Sequence, residues 1–315
     1  MKIIFMGTPD FATYIVDSLY NAGHEIVLIV TQPDKPRGRS GKLTPSPVKK
    51  WATEHDVKVF QPSKIRDEES VAYLSGIDAD IAVVAAFGQI LPESVLSIPR
   101  LGCVNVHASL LPKYRGAAPI QCAILNGDDK TGVTIMQMGV GLDDGDILLT
   151  KEIELDGTET GGELFDELAG LGGEAIVEAL DKLQAGAITP ILQDESKATH
   201  VCMICKEDGL IDWNKSALSI ERCVRGLNPW PTAYTSYNGK NLKIWKSHVV
   251  SADEFAINKL EANAAEVCYV DKRNLYVMTG DGVLGLDEIQ LEGKKRMEVQ
   301  AFLLGNQIHP GEKLG

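Results

Sequence analysis

The chain has 315 residues, 44% hydrophobic and 24% charged, which suits a globular protein long enough for two domains and excludes a disordered, collagenous or coiled-coil chain. Six scattered cysteines lack framework spacing, and apolar runs such as 81–87 fall far short of the ~20 residues of a bilayer span, so disulfide scaffolds and membrane spans are excluded too. The net charge of -13 argues against a polyanionic partner until it is resolved along the chain: residues 209–315 carry 13 basic and 13 acidic side chains, so the whole excess precedes them.

Met1 leads directly into an apolar run with no export signal before it, so a cytoplasmic protein with reduced thiols is expected. Residues 2–7 (KIIFMG) read as a buried strand. Thr8 offers an N-cap hydroxyl, Pro9 fits a first helical turn, and Phe11, Ile15 and Leu19 form one apolar face. Gly7 is followed by Thr8-Pro9-Asp10 rather than by further glycines, which disfavours a nicotinamide dinucleotide; Gly7 makes a tight turn or lies beside a ligand at the helix start.

A second strand over 25–31 runs into a basic island, where Lys35, Arg37, Arg39, Lys42, Lys49 and Lys50 face one acid, Asp34. A short helix over 48–54 and strands over 57–60, 79–87 and 104–108 follow. Strands alternating with helical stretches predict a mostly parallel, Rossmann-like α/β sheet. Within 104–108, Asn105 and His107 stand two residues apart, hence on one face near the strand's carboxyl end, where open α/β sheets bind ligands. Amide and imidazole N–H groups suit a developing oxyanion, although a histidine is also at home as a satisfied core residue.

Strand-like alternation returns over 132–138 and 146–155. Between them Gly141-Leu-Asp143-Asp-Gly-Asp146 makes an acidic turn able to bring a carboxylate back to His107. Apolar residues at helical spacing over 161–183 close a first domain at 1–188, a linker spans 189–208, and short β-like runs over 209–315 predict a small, OB-like β-barrel.

Asn105-Val-His-Ala-Ser-Leu-Leu-Pro112, Tyr114-Arg-Gly-Ala-Ala-Pro-Ile-Gln121 and Gly141-Leu-Asp143-x-Gly-Asp146 resemble the signature of the formyltetrahydrofolate-dependent formyltransferases. Further stretches extend the likeness over nearly the full chain and toward the members whose acceptor is methionyl-tRNA: Gly7-Thr-Pro-Asp-Phe11, Thr31-Gln-Pro-Asp34, Pro45-Ser-Pro-Val48, Phe60-Gln-Pro62, Gly209-Leu-Ile-Asp-Trp213 and Asn228-Pro-Trp-Pro231.

The resemblance implies formyl transfer from 10-formyltetrahydrofolate to the methionine amino group of initiator methionyl-tRNA, with Asn105, His107 and Asp143 as the catalytic triad. It implies that Phe87, Gly88, Gln89, Ile90, Leu91 and Pro92 cradle the pterin and that Ser109, Leu110, Leu111 and Pro112 lie beside the folate. A monomer without a metal is expected. Arg37, Arg39 and Lys42 are expected to meet the tRNA acceptor end, and Lys240, Lys243, Lys246, Lys294, Lys295 and Arg296 more distant phosphates.

Two positions depart from the family pattern: Asp144 sets a second negative charge beside Asp143, and Met203 stands where a lysine is common. Cys202-x-x-Cys205 with His200 and Cys223 lacks the second tight pair of a structural zinc site, and Cys103 and Cys122 read as buried hydrophobes. Two other functions share these features. One is a formyltransferase acting on an amino-sugar nucleotide or other small amine, which has no need of the basic loop; the other is a non-catalytic RNA-binding module built on the barrel.

Overall fold

A computed structural model describes residues 1–37, 42–251, 253 and 262–315. The chain divides into two compact units, each assembled from three segments: Met1–Pro119, Lys130–Glu154 and Phe165–Val201 in one, and Ile120–Asp129, Leu155–Leu164 and Cys202–Gly315 in the other.

The first unit is built on a seven-stranded sheet. In chain order its strands are β1 (Lys2–Gly7), β2 (Glu25–Val30), β5 (Val59–Phe60), β6 (Ile81–Ala85), β7 (Cys103–His107), β9 (Lys130–Gln137) and β10 (Ile147–Glu154); β3 (Lys35–Arg37), β4 (Lys42–Thr44) and β8 (Arg115–Gly116) lie outside it. The spatial order is β10-β9-β7-β6-β1-β2-β5, parallel from β7 to β5 and antiparallel at β7–β9 and β9–β10. The mostly parallel Rossmann-like sheet expected from the sequence is therefore present, with two strands of the later alternating region added antiparallel at one edge.

Near-continuous apolar strands follow from burial on both faces. One face carries Ile4, Met6, Leu28, Val30, Val84 and Cys103 in a single cluster. The opposite face receives the helix Asp10–Asn21, with Ile15 fully buried and Phe11 edge-on to Phe165 at 5.7 Å.

The strand order reverses direction between β1 and β6, which opens the crevice used by ligands in sheets of this kind. Thr8 does not cap the following helix as its position suggests. Pro9 is the N-cap residue without a side-chain bond, and the Thr8 hydroxyl instead donates across the switch point to the Phe87 carbonyl at 3.1 Å. Gly7 is needed for close approach: a Cβ there would sit 2.5 Å from Ala12 Cβ and 2.9 Å from the Ala85 carbonyl. The second short helix, Pro47–Glu54, is capped as its sequence dictates, Ser46 Oγ accepting from Lys49 N at 3.1 Å with Pro47 in the first turn.

The second unit carries the antiparallel, barrel-like sheet: β12 (Tyr234–Tyr237), β13 (Lys240–Val249), β16 (Val283–Leu291), β15 (Leu275–Met278) and β14 (Val267–Val270) in spatial order, with β17 (Met297–Glu298) also paired to β16. Its core gathers Trp213, Ile220, Val224, Leu242, Val277, Leu286 and Phe302, so the helices Ala217–Gly226 and Val299–Gly305 both pack onto the sheet. The indole of Trp213 donates to Thr235 Oγ1 at 3.1 Å, which satisfies its one polar atom inside that core. The Asn228-Pro-Trp-Pro231 stretch contains cis bonds at Asn228–Pro229 and Trp230–Pro231. Among the described residues no helix is long and apolar enough to cross a membrane.

Two outcomes follow from this packing. Gly7→Ala forces an extra methyl between helix and strand and should destabilise the protein by about 1–3 kcal/mol in urea titration, without a change in the denaturant slope. Burial pushes the Cys103 thiol up to about 12, so iodoacetamide at pH 8 should label exposed Cys202 in the native protein and leave Cys103 unmodified until denaturant is added.

Candidate functional site

β7 is the strand on which the site is organised. Cys103, Asn105 and His107 share one of its faces, while Val106 turns to the other and approaches the position where a Gly172 Cβ would lie. Asn105 pairs in register with Val84 of β6 and Met136 of β9, and His107 with Thr134 of β9. Both are buried, Asn105 at 8% and His107 at 6% exposure. Among the described residues the Asn105 side chain has no hydrogen-bond partner, and its amide is not one of the fully buried unpartnered groups, so it is open to a ligand.

His107 is held from two sides. Nε2 lies 2.9 Å from the Tyr114 carbonyl, and a carbonyl can only accept, so Nε2 carries a proton. Nδ1 lies 3.6 Å from Asp143 Oδ2, an electrostatic pairing longer than a hydrogen bond. Asp143 Oδ2 is itself fixed by the Gly116 N–H at 2.8 Å.

The Asp143 backbone is left-handed, with φ of 50°, a conformation that aspartate tolerates better than most residues. The turn is closed by Gln137 N to Asp146 O at 2.8 Å, and Gly145 is needed because a Cβ there would lie 1.7 Å from the Gln137 carbonyl. Asp144 stands exposed beside it.

Residues 87–92 leave the end of β6 through two left-handed positions, Ala86 (φ 46°) and Gly88 (φ 84°). Phe87 is buried, and its carbonyl accepts from Thr8 and from Gln32 Nε2 at 3.2 Å. Gln89 is spent on the chain beside it, accepting from Ile65 N at 2.7 Å and donating to the Pro62 carbonyl at 3.2 Å. Leu91 is buried and Ile90 is exposed at 81%. After Pro92 the chain enters the short helix Glu93–Leu96.

The loop after β7 is pinned by Thr134, whose hydroxyl donates to the Ser109 carbonyl at 2.7 Å and accepts from Leu111 N at 3.1 Å. Ser109 Oγ donates to the Lys113 carbonyl at 2.6 Å, Leu110 packs toward Gly132, and the Leu111–Pro112 bond is cis.

The basic residues fall into separate groups. Arg37 and Lys42 pair across the short antiparallel β3–β4 ribbon, and Arg39 lies outside the described residues. At the base of this ribbon Asp34 accepts from Lys49 Nζ at 2.7 Å and from Gln61 Nε2 at 2.8 Å, and the Lys49 bond, followed by that of Gln61, lowers its pKa. On the second unit Lys240, Lys243 and Lys246 lie along β13, with Lys243 Nζ 5.5 Å from the Trp245 ring centre. Arg296 stacks on the same ring at 4.6 Å and is paired with Glu288, whereas Lys294 and Lys295 project from the preceding turn. Met203 is exposed at 79%.

Three residues that sequence reasoning did not single out complete the surroundings of Asp143. Arg115, almost fully buried, donates to Gln193 Oε1 from Nε (3.1 Å) and Nη2 (2.8 Å) and to both Glu195 oxygens at 3.0 and 2.6 Å. The Glu195 bond raises the pKa of a guanidinium that is already always charged, with Asp144 and Asp143 adding to it. Gln193 Nε2 donates to the backbone carbonyls of Asp143 at 2.9 Å and Gly145 at 2.7 Å. Arg115 lies inside the Tyr114–Gln121 motif, but Gln193 and Glu195 lie in a polar stretch with no local pattern. Among the described residues no three His, Cys, Asp or Glu side chains gather as a metal site.

The arrangement supplies an amide donor unpartnered among the described residues, an imidazole ring and a fixed carboxylate at the carboxyl end of a mostly parallel sheet, which suits stabilisation of an oxyanion with a proton relay. Residues 1–180 match the formyl transferase family model and residues 203–307 the formyl transferase C-terminal domain. A methionyl-tRNA formyltransferase of Lachnospira eligens is 50% identical over 316 residues, covering 100% of both chains. One of Agathobacter rectalis is 48% identical over 311 residues, covering 99% of this chain and 98% of the relative. A crystal structure of an N-formyltransferase from Helicobacter canadensis, in complex with folinic acid and dTDP-3-aminofucose, superposes with a TM-score of 0.67 at 16% identity, covering 94% of this chain and 100% of that one, and so shares the fold. From the motifs of β7 and the acidic turn to the barrel-like sheet, the chain belongs to the formyl transferase family, among the methionyl-tRNA formyltransferases.

Proposed function

We propose that this chain transfers the formyl group of 10-formyltetrahydrofolate to the amino group of the methionine carried by initiator tRNA, for translation initiation. The observation that carries the proposal is His107 held between the Tyr114 carbonyl and the Asp143 carboxylate, beside an Asn105 amide without a partner among the described residues. The full-length likeness to relatives named methionyl-tRNA formyltransferase supports tRNA over a small amino-sugar as acceptor.

The chemistry fits the side chains. When the methionine amine adds to the formyl carbon, negative charge builds on the formyl oxygen, and the Asn105 amide is a donor ready for it. His107 Nδ1, the more loosely engaged ring atom, is the one that exchanges a proton with the reacting groups, while Asp143 steadies the imidazolium. The C–N bond to the folate then breaks and the folate nitrogen recovers a proton. No covalent enzyme intermediate is needed, which suits a Cys103 thiol whose burial pushes it up to about 12.

Residues 87–92 and 109–112 flank this centre and are proposed to hold the folate. Ser109 Oγ and the Gln89 amide are already engaged with the protein, so their share is to fix loop shape, leaving the exposed Ile90 to meet the pterin. Arg37, Arg39 and Lys42 are proposed to guide the acceptor end, and the lysines of β13 with Lys294 and Lys295 to meet phosphates farther along the tRNA. Arg296, paired with Glu288 and stacked on Trp245, contributes to that surface mainly by holding the indole in place.

Incubation with 10-formyltetrahydrofolate and either methionyl-tRNA or an amino-sugar nucleotide tests the proposal directly. Tetrahydrofolate release is expected with the tRNA alone; release only with the sugar, or tRNA binding without release, overturns it. Asn105→Ala should lower kcat by about 10²-fold or more, and His107→Ala and Asp143→Ala should each act mainly on kcat, with little change in either KM. Arg39→Ala should weaken catalysis at limiting tRNA while folate binding, followed by fluorescence, stays intact. Normal formylation by that variant makes the basic loop a solvated surface feature.

A further inference from the structure

Asp143 reaches His107 from a left-handed backbone position in a turn whose Gly141, Leu142 and Asp144 are exposed. The only side chain hydrogen-bonding its carbonyls among the described residues is Gln193, which donates from one nitrogen to two acceptors, Asp143 O and Gly145 O. Its oxygen meanwhile takes two N–H groups of the buried Arg115. The residue after Arg115 is Gly116, whose backbone N–H fixes Asp143 Oδ2. The amide of Gln193 therefore ties together both supports of the carboxylate: the backbone of its turn and the strand that presents its N–H donor.

The supporting segment is itself anchored. Ile191 exchanges two backbone hydrogen bonds with Ile147, at 2.8 and 2.9 Å, just beyond the turn. His200 and Val201 form β11 (His200–Val201), which pairs in parallel with Arg115 and Gly116 of β8. Gln193 thus sits between two fixed points and meets the turn at a set distance. We infer that Gln193 is a positioning residue for the reaction, acting through Asp143: its amide holds the turn so that the carboxylate stays beside His107 Nδ1. A primary amide is required because the site needs a donor toward the turn and an acceptor toward the guanidinium on one rigid plane. A carboxylate supplies only the acceptor.

This inference rests on the proposed catalytic role of Asp143, and a double-mutant cycle separates the two. Gln193→Ala should lower kcat by about 10- to 10²-fold, the scale expected when a catalytic group is displaced by up to an ångström, with both KM values within about 3-fold. The same substitution in an Asp143→Ala background should cause no further loss. Gln193→Glu keeps the Arg115 partner and loses the donors to the turn, so it should be impaired as severely as Gln193→Ala; it also serves in the cycle if the alanine variant proves poorly folded by its thermal midpoint. Equal losses in both backgrounds, full activity of Gln193→Ala beside an impaired Asp143→Ala, or recovery with Gln193→Glu each overturn the inference. Undiminished turnover of Asp143→Ala instead removes the active-site reading itself.

Discussion

A histidine buried in the middle of a sheet must find a partner for each ring nitrogen, and the rest of the site can be understood from how this is met. One partner comes from the Tyr114 carbonyl, which requires the chain after β7 to fold back on itself. The other comes from Asp143, thirty-odd residues on, which requires β9 and β10 to deliver a turn to the same place. The antiparallel edge of an otherwise parallel sheet has this consequence for chemistry: two further strands beside β7 return a carboxylate to the face where Asn105 and His107 lie.

Holding that carboxylate is costly in conformation, and the protein meets the need with backbone N–H and side-chain amide donors. Gly116 N and Gln193 Nε2 fix the geometry of Asp143, one at its carboxylate and the other at its backbone carbonyl. The nearby guanidinium of Arg115 is directed toward Glu195 and Gln193, so its positive charge is balanced away from the Asp143 carboxylate. Preorganised dipoles of this kind do not need to reorganise when charge develops.

Much of this was legible in the sequence. The strand over 104–108 announced itself because Asn105 and His107 interrupt an apolar alternation that has no structural use for them, and the Gly-rich acidic turn pointed to Asp143. The parallel sheet followed from alternating strands and helices, and the second sheet from short runs between Gly, Asn and Asp turns. Other features were hidden for identifiable reasons. Thr8 looks like a helix cap because local sequence shows the hydroxyl and the proline but not the Phe87 carbonyl, which the fold brings across the switch point. Gln193 sits in a Gln-Asp-Glu-Ser run that reads as solvated linker, and its partners lie 50 and 78 residues away. Side-chain bridges over such separations leave no periodic trace.

The discontinuous make-up of the two units bears on the order in which the chain can mature. All residues of the first unit, including β7, the acidic turn and the Gln193 segment, have been synthesised once Val201 is reached. The second unit includes residues 120–129, made early, yet its core also contains Leu314, next to the last residue of the sequence. During vectorial synthesis the second unit is therefore completed after the first, although its earliest segment, residues 120–129 with the buried Ile124, is made before β9 and β10.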